Sequence, residues 1–196
     1  MTNKVTDFPE QTDPTEGALL YLVQSGNDYR LPLGTLHDMP VNGFADYNHA
    51  GATIPLVADT WTPVINDGAG AFTNLAYLPK GVTSMLNTAT GKIDASQLDL
   101  GDDMVIRNDF TVVPSLNNSA IEMRYTLGAG GNAYTLTGSR ERLDLGAGVA
   151  YRLSLLSHYI YMGDSNTRDN PIGIEIRCTG AAVVTNAGIA IGVKKR

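Results

Sequence analysis

Three histidines, one cysteine and a scatter of carboxylates are the residues of this chain best equipped for chemistry. His37, His49 and His158 are not spaced at i, i+2 or i, i+4, as metal ligands on one element usually are, so no metal site is predicted. His158 alternates with Leu156 and Ile160 and is expected to pack within a sheet or against a neighbouring chain. Cys178 is alone, which excludes an intrachain disulfide and any cysteine-based metal site. It ends IGIEIRC on the face shared by Ile172, Ile174 and Ile176 and reads as a buried thiol. Asp164, Asn166 and Asp169 in GDSNTRDNP offer the oxygen ligands that Ca²⁺ takes, but at no EF-hand spacing. Asp and Asn are also the commonest turn formers, so a structural turn is expected. For glycoside hydrolysis, Asp109, Glu122, Glu141 and Asp144 would have to converge in a cleft. The serines of GVTSML and LTGSRE lack the flanking glycines of a nucleophile elbow. The Gly-rich GAGAF and GAGGNAY open β-segments rather than a helix, so they are turns and not phosphate loops. No catalytic residue and no cofactor is assigned, and the chain reads as a non-enzyme.

The elements that carry these residues are strands. Among 196 residues only 17% are charged and 21 are glycine, which favours a turn-rich β protein over a helical one. In IEMRYTL, Ile121, Met123, Tyr125 and Leu127 point one way, Glu122, Arg124 and Thr126 the other. DMVIRNDFTVV alternates likewise, with Met104, Ile106, Phe110 and Val112 opposite Arg107, Asp109 and Thr111. IGIEIRC and AVVTNAGIAIGV add two more strands, and TIPLV, WTPVI, FTNLAYL and AYTLT weaker ones. Turn compositions such as NDGAG, TATGK and LNNS separate them, and no segment carries a long helical period. Eight or nine short strands without a tandem repeat imply an all-β fold, an antiparallel β-sandwich or jelly roll.

VAYRLSLLSHYIYM, 149–162, is the exception to clean alternation. Tyr151, Leu153, Leu155, Tyr159 and Tyr161 share one parity, while Leu156 and Ile160 occupy the other. Read as one strand it is too apolar on both faces to meet water, and a second chain is the simplest cover.

The net charge of −6 repels phosphate, so nucleic acid is not an expected partner. The single basic run, KKR at 194–196, reads as a solvated chain end. No apolar run is long enough to cross a bilayer and MTNKVTDFPE lacks the apolar core of a signal peptide, so a soluble, cytoplasmically made protein with no membrane partner is expected.

At the front, ALLYLV and YRLPL flank QSGND, the pattern of a β-hairpin with a longer loop. A lone hairpin is marginal in water. Residues 37–52, HDMPVNGFADYNHAGA, show no periodicity and read as a linker, which divides the chain into a hairpin segment, 1–36, the linker, and a sandwich domain, 53–196.

DPTEGALLYLVQSGNDYRLPLGTL resembles the N-terminal attachment segments of tailed-bacteriophage structural proteins: a polar lead, an apolar strand, a Gly-containing turn and an apolar strand ending in leucine. The resemblance implies a virion anchor made by Leu19, Leu20, Leu22, Val23, Leu31, Leu33 and Leu36. The remainder, in WTPVINDGAGAFTNLAYLPKGV, TATGKIDASQLDLGDDMVIRNDFTV and IYMGDSNTRDNPIGIEI, is similar to the tumour necrosis factor-like jelly rolls of phage fibres and head appendages. That resemblance implies a homotrimer, with Tyr151, Leu153, Leu155, Tyr159 and Tyr161 at its interface. Together they imply a structural protein of the virion, assembled in the host cytoplasm, whose residues 1–36 dock on a capsid or tail subunit. A capsid decoration or head fibre, a short tail fibre, and a receptor-binding adhesin with a host surface glycan as ligand all fit. A glycan depolymerase on the same scaffold is the enzymatic alternative. The hairpin folding back as extra edge strands is the alternative to docking.

Overall fold

The computed structural model describes residues 19–24, 27–32, 42–51, 53–157 and 159–196. The chain divides into two units, Met1–Pro40 and Val41–Arg196.

In the first unit, β1 (Leu19–Gln24) and β2 (Asn27–Pro32) form an antiparallel two-stranded sheet of their own. Leu20 stands opposite Leu31, Leu22 opposite Tyr29, and the ladder closes at Gln24 and Asn27. Only two residues separate the strands, so the connection is shorter than the predicted loop. Of the seven anchor residues, Leu33 and Leu36 lie outside the described residues.

The second unit is a jelly roll. Its long strands are β3 (Asn42–Asn48), β8 (Asp103–Pro114), β9 (Ser119–Leu127), β10 (Tyr134–Leu143), β11 (Tyr151–Leu156), β13 (Gly173–Cys178) and β14 (Ala182–Lys194). Shorter ones are β4 (Ile54–Leu56), β5 (Thr62–Pro63), β6 (Leu86–Asn87), β7 (Lys92–Ile93) and β12 (Ile160–Tyr161). One sheet runs β10-β9-β13-β5; the other runs β11-β8-β14-β3, with β12 extending the β11 side and β4 the β3 side. With β3, β5, β8, β9, β10, β11, β13 and β14 lettered A to H, the sheets read E-D-G-B and F-C-H-A. That is the double Greek key of an eight-stranded jelly roll.

Alternation builds the core between the sheets. Ile121, Met123, Tyr125 and Leu127 of β9 and Ile174, Ile176 and Cys178 of β13 meet Met104, Ile106, Phe110 and Val112 of β8 in one cluster. β14 keeps both of its halves apolar on the inside by a bulge. Val184 and Asn186 are buried at even positions, Ile189, Ile191 and Val193 at odd ones, and Ala187 is the extra residue between them. One inserted residue reverses parity, which lets a sequence of changing phase bury one face.

The same device overturns the reading of 149–162 as a single strand. Leu156 opposes Arg107 and Ile160 opposes Met104, so four steps along this chain match three along β8. Ser157 fills the gap, its hydroxyl accepting from the Ile106 N–H at 2.7 Å and its own N–H donating to the Ile106 carbonyl at 2.7 Å. Odd residues therefore face inward in β11 and outward in β12.

Three further expectations change. Residues 42–48 are not linker but strand β3, paired with β14 along its length. Its inward residues are only Ala45 and Tyr47, and Tyr47 is fastened by its hydroxyl, which accepts from the Met85 N–H at 2.6 Å. FTNLAYL is not a strand: Asn74 bridges Asp46, then turns its side chain back to accept from the Ala76 N–H at 3.0 Å, while Phe72, Leu75 and Tyr77 stay exposed. The KKR end is not free in solvent, because Lys195 pairs with Asp99 at 3.1 Å and Arg196 with Asp103 at 3.3 Å.

One polar link crosses the core: Asn108 Nδ2 donates to the Tyr125 hydroxyl at 2.8 Å, both residues being buried. Burial pushes the Tyr125 phenol well above its ordinary value of 10.0. Above pH 10 the unfolded chain therefore loses a proton that the folded chain keeps, and stability falls as pH rises. Relative to Tyr125→Phe, the wild-type protein should lose about 1.4 kcal/mol per pH unit above pH 10, measured by urea unfolding between pH 8 and 11.5. A pH-independent difference would refute this account.

Candidate functional site

The carboxylates singled out for hydrolysis do not converge. Asp109 sits on the outer face of β8, where Arg107 approaches at 2.9 Å and the Ser154 hydroxyl donates at 2.6 Å. Glu122 sits on the outer face of β9, between Arg140 at 3.2 Å and Arg177. The two outer faces are separated by a sandwich whose sheets alone lie about 10 Å apart, more than a pair of glycosidase carboxylates spans. Asp144 pairs with Arg142 at 2.6 Å, and Glu141 is exposed on β10.

The other candidates are in structural use. Asp164 caps α1 (Ser165–Asp169) by accepting from the Thr167 N–H at 2.7 Å. Asn166 reaches back to the Ala129 N–H and the Asn132 carbonyl at 3.1 and 3.0 Å, and Asp169 holds Arg168 at 2.6 Å. The Arg168 guanidinium keeps the Asp169 carboxyl below its ordinary range. The expected turn is thus a capped helical turn. His49 is buried at the exit of β3 and accepts the Asp67 N–H on Nδ1 at 3.1 Å. Asp67 in turn takes the Ala50 and Ala69 N–H groups, which lower its pKa. Cys178 is a buried free thiol. His37 and His158 lie outside the described residues. Among the described residues no three His, Cys, Asp or Glu side chains cluster as metal ligands.

The five residues expected to form one interface are divided. Tyr151 and Leu155 lie in the core of their own chain, and Leu153 packs against it. Tyr159 and Tyr161 point outward beyond the bulge, with Leu156 exposed before it.

What distinguishes surface from surface is charge. On the outer face of β10-β9-β13-β5, Arg140, Glu122 and Arg177 form a row across three strands. Beside it Arg124 pairs with Glu175 at 2.6 Å, and the Arg124 and Arg177 guanidiniums lie 4.2 and 4.9 Å from the centre of the Trp61 ring. The opposite outer face carries the Arg107–Asp109 pair on β8 but is uncharged along β14, between β8 and β3. β14 turns Val183, Thr185, Ala187, Ala190 and Gly192 outward before the first charge, Lys194. At the β3 edge of that face Phe44 stacks on Tyr77 with ring centres 5.0 Å apart. The Phe44–Tyr77 pair carries no sequence signal, since its two halves belong to segments read as linker and strand.

At one end of this face Tyr161, Asp103 and Lys194 occupy one rung across β12, β8 and β14. With Tyr159 and Arg196 they line a recess of about 340 Å³. Sequence reasoning named its tyrosines but not the rung, since Lys194 and Asp103 are brought together only by the β14–β8 register.

Neither a family model nor a curated protein matches this chain. Among solved structures it is similar to an Eiger TNF from S. frugiperda, at 9% identity over 80% of this chain and 92% of that one, with a TM-score of 0.41. It is similar to the PRD1 vertex protein P5 at 15% identity, over 79% and 95%, with a TM-score of 0.35. A third similarity is to the infectious bursal disease virus structure of the Gx strain, at 11% identity and a TM-score of 0.35 over 88% of this chain. The chain spans about a third of that viral chain's length, 35%. The fold assignment rests on the strand order and not on these alignments.

Proposed function

We propose that this chain is a non-enzymatic structural protein of a tailed-phage virion, a surface appendage anchored through residues 1–36 and displaying the jelly roll. The observation that carries the reading is the division of the chain. Among the described residues, a unit bearing the attachment-type sequence holds a two-stranded sheet, and a separate unit holds a full eight-stranded sandwich. A two-stranded sheet has no second layer of its own, and a capsid or tail subunit supplies one by strand addition or apolar docking. The jelly roll associates as a homotrimer, the state the family resemblance implies. The uncharged strip along β14 supports it: between the Arg107–Asp109 pair of β8 and Asp46 of β3, Val183, Thr185, Ala187, Ala190 and Gly192 offer a second copy a surface without a charge to desolvate.

Two measurements test this. Light scattering of the full chain should give three times its 20.9 kDa; a monomeric mass would rule the trimer out. Phage grown with a tagged 41–196 chain in place of the full one should yield virions lacking the tag, while tagged full-length chain labels capsid or tail in negative stain. Normal labelling by the truncated chain would remove the anchor from residues 1–40.

A further inference from the structure

We infer that the recess at the end of β14 is a binding site for an acidic sugar residue, of the uronic- or sialic-acid kind. Its two rings are the first observation. Tyr159 is 76% and Tyr161 54% exposed, two residues apart on the same side of the chain. Exposed rings paired in this way offer a flat apolar platform, on which the C–H face of a pyranose stacks while the phenol hydroxyls remain free to hydrogen-bond.

The charges select the ligand. Asp103 is only 7% exposed, yet its carboxylate opens on the recess, held there by Arg196 at 3.3 Å. The Arg196 backbone N–H is itself fastened to Asp102 at 2.9 Å, and its guanidinium lies 5.7 Å from the centre of the Tyr161 ring. Lys194 stands beside Asp103 on the same rung, and it has no carboxylate partner among the described residues. Asp103 and Asp102 balance Arg196, so Lys194 is the cation of the recess left to meet an anion. The buried carboxylate accepts hydrogen bonds only, which calls for hydroxyl donors. A ligand that satisfies both must carry an anion and hydroxyl groups within a few ångströms of each other, on a body that stacks on tyrosine. An acidic pyranose does. An acidic peptide supplies the anion but sets its other carboxylates against Asp103, and a neutral sugar leaves Lys194 unused. The volume, about 340 Å³, is at the small end of ligand sites and suits one or two sugar units. The site stands whether or not the chain is a virion protein.

The test is titration of the ¹⁵N-labelled full chain with a galacturonic acid trimer and, separately, an N-acetylneuraminic acid trimer, with the methyl esters of both as neutral controls. At least one acid should shift the amides of residues 159–161 and 194–196 with a Kd on the order of 1 mM. Its ester should bind at least fivefold more weakly. Tyr159→Ala and Lys194→Gln, at exposed positions that leave the core intact, should each weaken binding tenfold or more with the rest of the spectrum unchanged. The inference is overturned if neither acid binds, if ester and acid bind alike, or if the variants bind as the wild type does. It is also overturned if those amides respond to protein concentration instead of sugar, for then a second copy fills the recess.

Discussion

Deleting Ala187 should leave a folded jelly roll, whereas inserting an alanine between Ile189 and Ala190 should cost several kcal/mol of its stability. Ala187 is the residue of β14 without a partner on β8, since Asn186 stands opposite Phe110 and Gly188 opposite Asp109. Removing it lets Gly188 follow Asn186 in a regular ladder, and Val184, Asn186, Ile189, Ile191 and Val193 all keep facing inward. Only the hydrogen bonds that the Ala187 carbonyl accepts from Asn48 Nδ2 and the His49 N–H are given up. The insertion has no such outlet. With the ladder held through Ile189, Ile191 and Val193 turn to solvent and Lys194 turns inward. Two aliphatic side chains at about 1.5–3 kcal/mol each are a large share of the whole stability of an ordinary domain, about 5–15 kcal/mol. Slipping the ladder the other way exposes Ile189 and Val184 instead and breaks the pairing of β14 with β4. Thermal melts followed by near-ultraviolet circular dichroism should rank the insertion far below the deletion. An insertion variant that melts within a few degrees of the wild type, or a deletion variant without a cooperative melt, would overturn this account of the bulge.

Bulges also mark where reading along the sequence stops working. The strands at 103–114, 119–127 and 173–178 were legible because apolar residues recur at every second position, a row that Asn108 alone breaks between Met104 and Val112. The bulge after Leu156 is not written in composition at all. It depends on Ser157 replacing a ladder partner for Ile106, a residue 51 positions away. Without it Tyr151 and Tyr161 look like neighbours on one face, and five residues seem to form one seam. Strand β3 was hidden for another reason. Asn42, Gly43, Asp46 and Asn48 are turn formers by type, but Gly43 is required by packing: a Cβ there would stand 2.5 Å from the Tyr77 carbonyl oxygen. A residue that reads locally as punctuation can thus be a tertiary contact.

The surfaces were legible in the same uneven way. Glu122 and Asp109 were correctly placed on outward faces by alternation, but sequence cannot say that the two faces look in opposite directions. That follows only once β9 and β8 fall in different sheets. The terminal KKR looked like a solvated tail because the partners of Lys195 and Arg196, Asp99 and Asp103, are remote in the chain. The absence of charge along the outer side of β14 was present in AVVTNAGIAIGV from the start. It becomes informative only in register, where β14 lies as an uncharged strip between the Arg107–Asp109 pair of β8 and Asp46 of β3.

The hairpin offers the most severe test of the proposed anchor, through Leu22→Asp. Leu22 stands in the middle of the β1–β2 ladder, opposite Tyr29. ALLYLV carries apolar bulk at every position, so by alternation alone both faces of β1 call for cover, the pattern of a strand enclosed on two sides. If docking on a capsid or tail subunit supplies that cover, a carboxylate at position 22 enters a contact with no cation to meet it, at a cost of several kcal/mol, on the order of three powers of ten in affinity. Residues 41–196 form a separate unit with its own core, so the thermal midpoint of the jelly roll should not move. The two readouts thus separate in one variant: incorporation into virions should fall below detection while the melt stays where it was. Leu22→Ile, which keeps the apolar bulk, should be incorporated normally. A melt that shifts downward by several degrees would mean that the hairpin packs on its own jelly roll as edge strands. Normal copy number in virions carrying the aspartate would show that Leu22 makes no contact with the virion, and the anchor would have to be sought outside residues 12–36.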